Sequence, residues 1–374
     1  MRTSVAWSLL LVGCYSPHPQ AGAPCPDNVC PTGLVCSPAT HTCEITGQTA
    51  DASTPDAVPD ANVDADISTF RHRRRLTIRN LSTQEMPAGM TVSVPFSVLS
   101  TLVSTGKAKA DFSDVRVIGD SVGERDRIID PPGGPAPVII NFSLGAPIAA
   151  NATSTEYAIY YAYAAAPPAP ANGHNVFAVY DDFASGISNA WLENDGPVIA
   201  NGQLVLRAGH TDAITTTAAS DNVPIVSAVE LVATVPNPNS DATVQPEGTF
   251  WYWFGYQHTG DFSASDPWVV WIARGKGGIG VEQKSPVGCE TGCAPAPGTQ
   301  DTAAHYYAVT RDLGQTRFSR DTSTTIVIGV QNTADYSLMV RNYMATSDLD
   351  VDWIRARARV NPDPSVAVGA EENL

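Results

Sequence analysis

The chain lacks any long hydrophobic run and is poor in cations. Val5 to Val12, its first apolar stretch, falls well short of the roughly 20 residues that cross a bilayer as a helix, and no later stretch reaches that length. With 22 Lys and Arg against 38 Asp and Glu, the net charge is −16. That balance disfavours nonspecific nucleic-acid binding, which needs clustered cations to neutralise phosphates. Catalytic signatures are missing as well. There is no HExxH pair and no E-x-D-x-x-E run, and Glu230, Glu247, Glu282 and Glu290 stand isolated. The histidines, His174, His210, His258 and His305 among them, are scattered. Gly275-Lys276-Gly277-Gly278-Ile279-Gly280 has no GK[ST] end and reads as a hairpin turn rather than a phosphate loop. A non-enzymatic protein is expected, with no cofactor required.

What is present begins at the front. Arg2 precedes the short apolar run, and Leu11-Val12-Gly13-Cys14 closes it as a lipoprotein signal closes, so residues 1–13 read as a signal peptide for the Sec pathway. The Cys14 thiol is then the lipidation site, and two or more acyl chains make a stable membrane anchor. Tyr15 rather than an aspartate follows, and the resemblance to Gram-negative lipoproteins then implies the outer membrane or cell surface. The chain has seven cysteines, an odd number; with Cys14 given to lipid, Cys25, Cys30, Cys36 and Cys43 form one group and Cys289 and Cys293 another. An oxidising compartment favours disulfides among these six, their connectivity left open in the first group. Residues 14–48 form a lipidated Cys-rich segment. Residues 49–69, rich in Ala, Pro and Thr and carrying Asp51, Asp56, Asp60, Asp64 and Asp66, have no apolar face to bury and read as an extended linker.

Beyond the linker the pattern turns to short alternating runs broken by Gly, Pro, Asn and Asp, a strand signature without helical periodicity. In the run 157–163, Tyr157, Ile159, Tyr161 and Tyr163 fall on one face and Ala158, Tyr160 and Ala162 on the other. A proline-rich stretch, Pro167-Pro168-Ala169-Pro170, marks the end of a first block. The fold class expected is all-β, two jelly-roll-like β-sandwiches over residues 70–170 and 171–374.

The strand around Trp251-Tyr252-Trp253-Phe254 sends tryptophans to one face and Tyr252, Phe254 and Tyr256 to the other. One face must be core. The other, with Trp268 and Trp271 nearby, is either a sugar-stacking platform or a second buried layer. Asp181, Asp182, Asp348, Asp350 and Asp352 bracket the second block; hard oxygens of this kind suit calcium, and solvated turn residues are the other reading. Two basic groups interrupt the acidic chain: Arg71, Arg73, Arg74 and Arg75, then Arg355, Arg357 and Arg359, which share one face of a strand. They pair with nearby acids, lie on a solvated face, or form an anion patch.

Arg73-Arg74-Arg75-Leu76-Thr77-Ile78, Asp114-Val115-Arg116-Val117 and Tyr157-Ala158-Ile159-Tyr160-Tyr161 resemble the domain of unknown function DUF2341, over about residues 70–170. Where that family has Gly-Asn after the double tyrosine, this chain has Ala162-Tyr163. Asp181-Asp182-Phe183, Trp191, Asn201-Gly202-Gln203-Leu204 and Val351-Asp352-Trp353-Ile354-Arg355 resemble a concanavalin A-like jelly roll, the last also the closing strand of family 16 glycoside hydrolases. The front of the chain is similar to surface lipoproteins of myxobacteria. The resemblance implies a surface lipoprotein that binds a polysaccharide or an envelope protein, with a structural spacer and a glycan-cleaving enzyme as alternatives.

Overall fold

The structure, a computed structural model, describes residues 67–216, 223–236, 302–321 and 336–374, together with seven strands: Leu34–Cys36, Cys43–Ile45, Trp251–Gln257, Trp268–Arg274, Gly278–Lys284, Ala294–Pro295 and Ser323–Ile328. Nearly every described element is a strand, as the alternation predicts. The chain forms two compact units, Met1–Ala61 and Asn62–Leu374. In the first, Leu34–Cys36 and Cys43–Ile45 pair antiparallel, with Cys36 opposite Cys43 in register. Cys14, Cys25, Cys30, Cys289 and Cys293 lie outside the described residues.

The larger unit contains two sandwiches. In the first, a sheet runs in the order Ser365–Asn373, His72–Arg79, Tyr157–Tyr161, Arg116–Gly119, Gly123–Arg125. A three-stranded sheet of Thr91–Pro95, Ile139–Ser143 and Arg127–Asp130 completes the sandwich. Alternate residues from both sheets, such as Leu76, Ile78, Val94, Val117, Ile140, Phe142 and Ile159, bury together to form its core.

The expected second block, 171–374, is corrected at its end. Ser365–Asn373 joins the first sandwich, pairing with His72–Arg79 so that Val366 opposes Ile78 and Glu372 opposes Arg73. The reason is chemical as well as topological: Val366 and Val368 pack on the first core, while Glu371 and Glu372 meet the basic end of the arginine strand.

A second correction concerns the tyrosine run. The strand stops at Tyr161, and Ala162 takes a left-handed φ of 66°. That residue breaks the period of two, so Tyr163 packs edge-on against Phe70, 5.5 Å between ring centres, in the cluster that holds Tyr160.

The second sandwich has an eight-stranded and a seven-stranded antiparallel sheet. The first is centred on Leu349–Ala358, Ser227–Thr234 and Ala304–Asp312, the second on Ser337–Tyr343, Trp251–Gln257 and Trp268–Arg274. Val229, Leu231, Val309, Phe318 and Ile354 from one sheet meet Tyr252, Phe254, Tyr256, Val269 and Trp271 from the other to form the larger core. Arg274 pairs with Gly278, and residues 275–277 of the glycine-lysine run lie outside the described residues.

Candidate functional site

Register decides the tryptophans. Directly opposed residues of an antiparallel pair point to the same face. Phe254 opposes Trp271, which therefore enters the core; Gln257 opposes Trp268, which joins Trp253 on the outer face of the seven-stranded sheet. Trp271 is fully buried, its ring against Tyr307 and Phe318 at 5.4 and 5.7 Å and its indole N–H donating to the Ala308 carbonyl at 3.3 Å. It is a core residue and not a ligand contact, a correction to the platform expectation. Trp253 and Trp268 meet edge to face at 4.9 Å, beside Val270 and Met339, and are only 3% and 8% exposed. The seven-stranded sheet is thus buried on both faces here, and these two rings are covered as well. Between them lies Gly255, whose φ of 145° and approach to the Val269 carbonyl leave no room for a Cβ. The Trp251 side chain lies outside the described residues.

The aspartates expected to suit calcium do not gather. Asp181 is buried and accepts from the Phe183 and Ser188 amides at 2.8 and 3.2 Å and from the Trp191 indole at 3.0 Å, which uses both of its oxygens. Asp182 accepts from the Ala184 amide and the Tyr180 hydroxyl, both turn contacts. Burial and the neighbouring Asp348 raise the Asp350 pKa above the usual carboxylate range, and Asp352 is exposed. Among the described residues the one cluster with metal-ligand spacing is Asp195, His210 and Asp212, where sequence reading saw nothing. Its buried member, Asp212, already holds the Arg207 guanidinium at 2.8 and 2.9 Å.

Arg355 and Arg357 alternate along the strand Leu349–Ala358, Arg359 follows just past its end, and all three are paired. Arg355, 2% exposed, binds Asp130 of the first sandwich bidentately, both bonds 2.8 Å, and Glu230 at 2.7 Å. Its guanidinium also lies 4.8 Å over Phe177 and 4.3 Å over Trp353. Burial pushes Asp130 up against the pull of Arg355; for Glu230, Arg355 and Arg357 outweigh burial and hold it below the usual range. Arg359 binds Asp363 and Asp312. Through the Arg355–Asp130 pair this charged network forms a seam between the two sandwiches.

The other basic group borders an open cleft of about 640 Å³ in the first sandwich. That volume lies in the range of small-ligand sites, roughly 300 to 1,000 Å³. It is lined by Arg71 and His72 at the start of the arginine strand, Lys107 and Lys109 after the short helix Leu99–Ser104, Asp114, and Tyr163. The Ala162 reversal puts the half-buried Tyr163 ring there. Lys109 donates its ammonium to the Ala166 carbonyl at 3.0 Å and its amide to the buried Asp114 at 2.8 Å. Lys107 pairs with Glu371, which also accepts from the Tyr161 hydroxyl at 2.8 Å; these two bonds lower the Glu371 pKa. His72 lies 3.7 Å from the same carboxylate. Sequence reading flagged the arginines but missed the cleft, since Lys107, Lys109 and Tyr163 are brought together by loops.

No protein-family model matches the chain, and no curated protein does. Among solved structures, the chain is similar to the endo-beta-1,3-glucanase from Pyrococcus furiosus, at 10% identity over 52% of this chain and 95% of that one, with a TM-score of 0.38. It is similar to the beta-glucanase of Bacillus licheniformis, at 12% identity over 48% of this chain and 98% of that one, TM-score 0.37. A third is the Emp46p carbohydrate recognition domain, at 9% identity over 47% and 94%, TM-score 0.35.

Proposed function

We propose that the chain is a non-enzymatic surface lipoprotein, anchored in the outer membrane through Cys14, whose paired β-sandwiches bind a glycan or another extracellular ligand. The observation that carries this reading is the open cleft of the first sandwich, where the half-buried Tyr163 ring sits among amine and hydroxyl donors. An aromatic ring covers the apolar C–H face of a sugar while polar groups at the rim meet its hydroxyls. The non-enzymatic part is supported by Glu230 and Asp130, whose carboxylates are committed to Arg355 rather than turned toward an open site. The likeness of residues 70–170 to DUF2341 rests on its motif residues and belongs to the same proposal.

A second reading, a structural spacer of the envelope, is favoured by one specific observation: Trp253 and Trp268 are covered and the seam is buried. A polysaccharide panel with the full chain separates the two. Saturable binding that Tyr163→Ala abolishes, with strand content unchanged by circular dichroism, supports the ligand reading. A panel without signal, with and without calcium, leaves the spacer.

A further inference from the structure

The geometry points to an anionic sugar, a uronate-bearing polysaccharide, as the ligand of the cleft beside Tyr163; this inference rests on the glycan-binding reading above. Three cations, Arg71, Lys107 and Lys109, line one opening in a protein of net charge −16. Two anions lie beside them. Asp114 is buried under the loop and accepts the Lys109 amide, and Glu371 shares Lys107 with Tyr161. Arg71 is exposed, and among the described residues no carboxylate meets its guanidinium.

An ammonium group carries three donors and a guanidinium five, so Lys107 and Lys109 keep donors beyond their bonds to Glu371 and to the Ala166 carbonyl. A neutral sugar makes no use of that surplus positive charge. A carboxylate does, and a guanidinium fork can take it bidentately. The Tyr163 ring supplies the apolar partner for the C–H face of the same pyranose. The protein's overall negative charge does not prevent this, because exposed charges farther than about 8 Å are largely screened at physiological ionic strength. The same overall charge and the small number of cations argue against a nucleic-acid strand, which requires many phosphate contacts at once.

The test is calorimetric titration of the full chain with polygalacturonate and with the same polymer after its carboxyl groups are reduced to alcohols. Binding to polygalacturonate is expected to weaken as salt rises, and the reduced polymer is expected to bind about tenfold more weakly or worse. Arg71→Glu should cost about tenfold as well. Arg317→Glu, the same charge change at an exposed position on the strand Gln315–Arg320 of the second sandwich, should leave binding unchanged. Equal affinity for the two polymers would overturn the anionic inference and leave the glycan reading standing. Binding to neither polymer would overturn both. Equal losses from Arg71→Glu and Arg317→Glu would mean that the cleft is not the site.

Discussion

The two outer faces of the second sandwich are built from opposite chemistry. On the eight-stranded sheet the face carries Glu230, Arg355 and Arg357 beside Val232, Tyr306 and Ala308, and it meets Asp130 and Ala136 of the first sandwich. On the seven-stranded sheet the face carries Trp253, Trp268, Val270 and Met339. An apolar face gains from almost any apolar cover, since area burial is non-directional. A buried charge instead demands a partner with matching geometry. The desolvation of such a pair can cancel its Coulomb gain, so the seam contributes a unique docking arrangement more than net stability.

The largest effect expected follows from that contrast. Arg355→Met leaves Asp130 and Glu230 as two buried carboxylates without their common partner, and should cost about 3–5 kcal/mol. Replacing all three together, as Arg355→Met with Asp130→Asn and Glu230→Gln, should recover much of the loss. Met339→Ala on the aromatic face removes packing alone and should cost about 2 kcal/mol or somewhat more, with no such recovery from changing its neighbours. Urea unfolding of the wild type and these three variants makes the comparison. If Arg355→Met proves no worse than Met339→Ala, the seam is less buried or less charged than described.

The same network shapes the response to acid. Glu230 has a folded pKa held below its usual 4.5, so its stabilisation is complete above that value and is lost as pH falls toward the depressed one. Asp130 has the opposite sign: burial lifts it above 3.8, so the folded chain takes up that proton more readily than the unfolded chain. Glu230→Gln should therefore flatten the loss of stability between about pH 6 and about pH 3, where one proton changes the slope by at most roughly 1.4 kcal/mol per pH unit. Urea midpoints across that range check it; an unchanged slope would mean that Glu230 titrates normally.

How much of this could be read in the chain depends on whether a feature is local. Alternation placed a strand in the run 157–163, which the fold realises as Tyr157–Tyr161. It also divided the aromatic strand correctly, with Tyr252, Phe254 and Tyr256 in the core and Trp253 outside. It could not assign Trp271 to a face, because that depends on its register against Phe254, which no single strand encodes. The closing strand was hidden in a similar way. Ser365–Asn373 pairs with a strand almost the whole length of the unit away in sequence, and its half-exposed, acidic pattern resembles an ordinary tail. The arginine pairing was legible as a class of contact, but its partner Asp130 was not. The cleft depended on one backbone angle that composition does not show.

That angle gives the smallest effect and the finest comparison, since it sets whether Tyr163 joins the inner or the outer face of its sheet. Ala162 has φ 66°, and an L-residue in the left-handed region costs roughly 1–2 kcal/mol. Glycine takes the angle freely but loses roughly 0.5–1 kcal/mol of backbone entropy on folding. Ala162→Gly should therefore stabilise the protein by about 0.5–1 kcal/mol, while Ala162→Val, with a β-branched side chain in the same region, should destabilise it by more than that. Thermal midpoints of the two variants should bracket the wild type. If both fall below it, the reversal at Ala162 is not the conformation in solution, and Tyr163 returns to the face of Tyr157 and Tyr161. The binding test sharpens the point, because a Tyr163 on the inner face would leave the cleft without its ring, and Tyr163→Ala would then weaken the fold rather than the ligand.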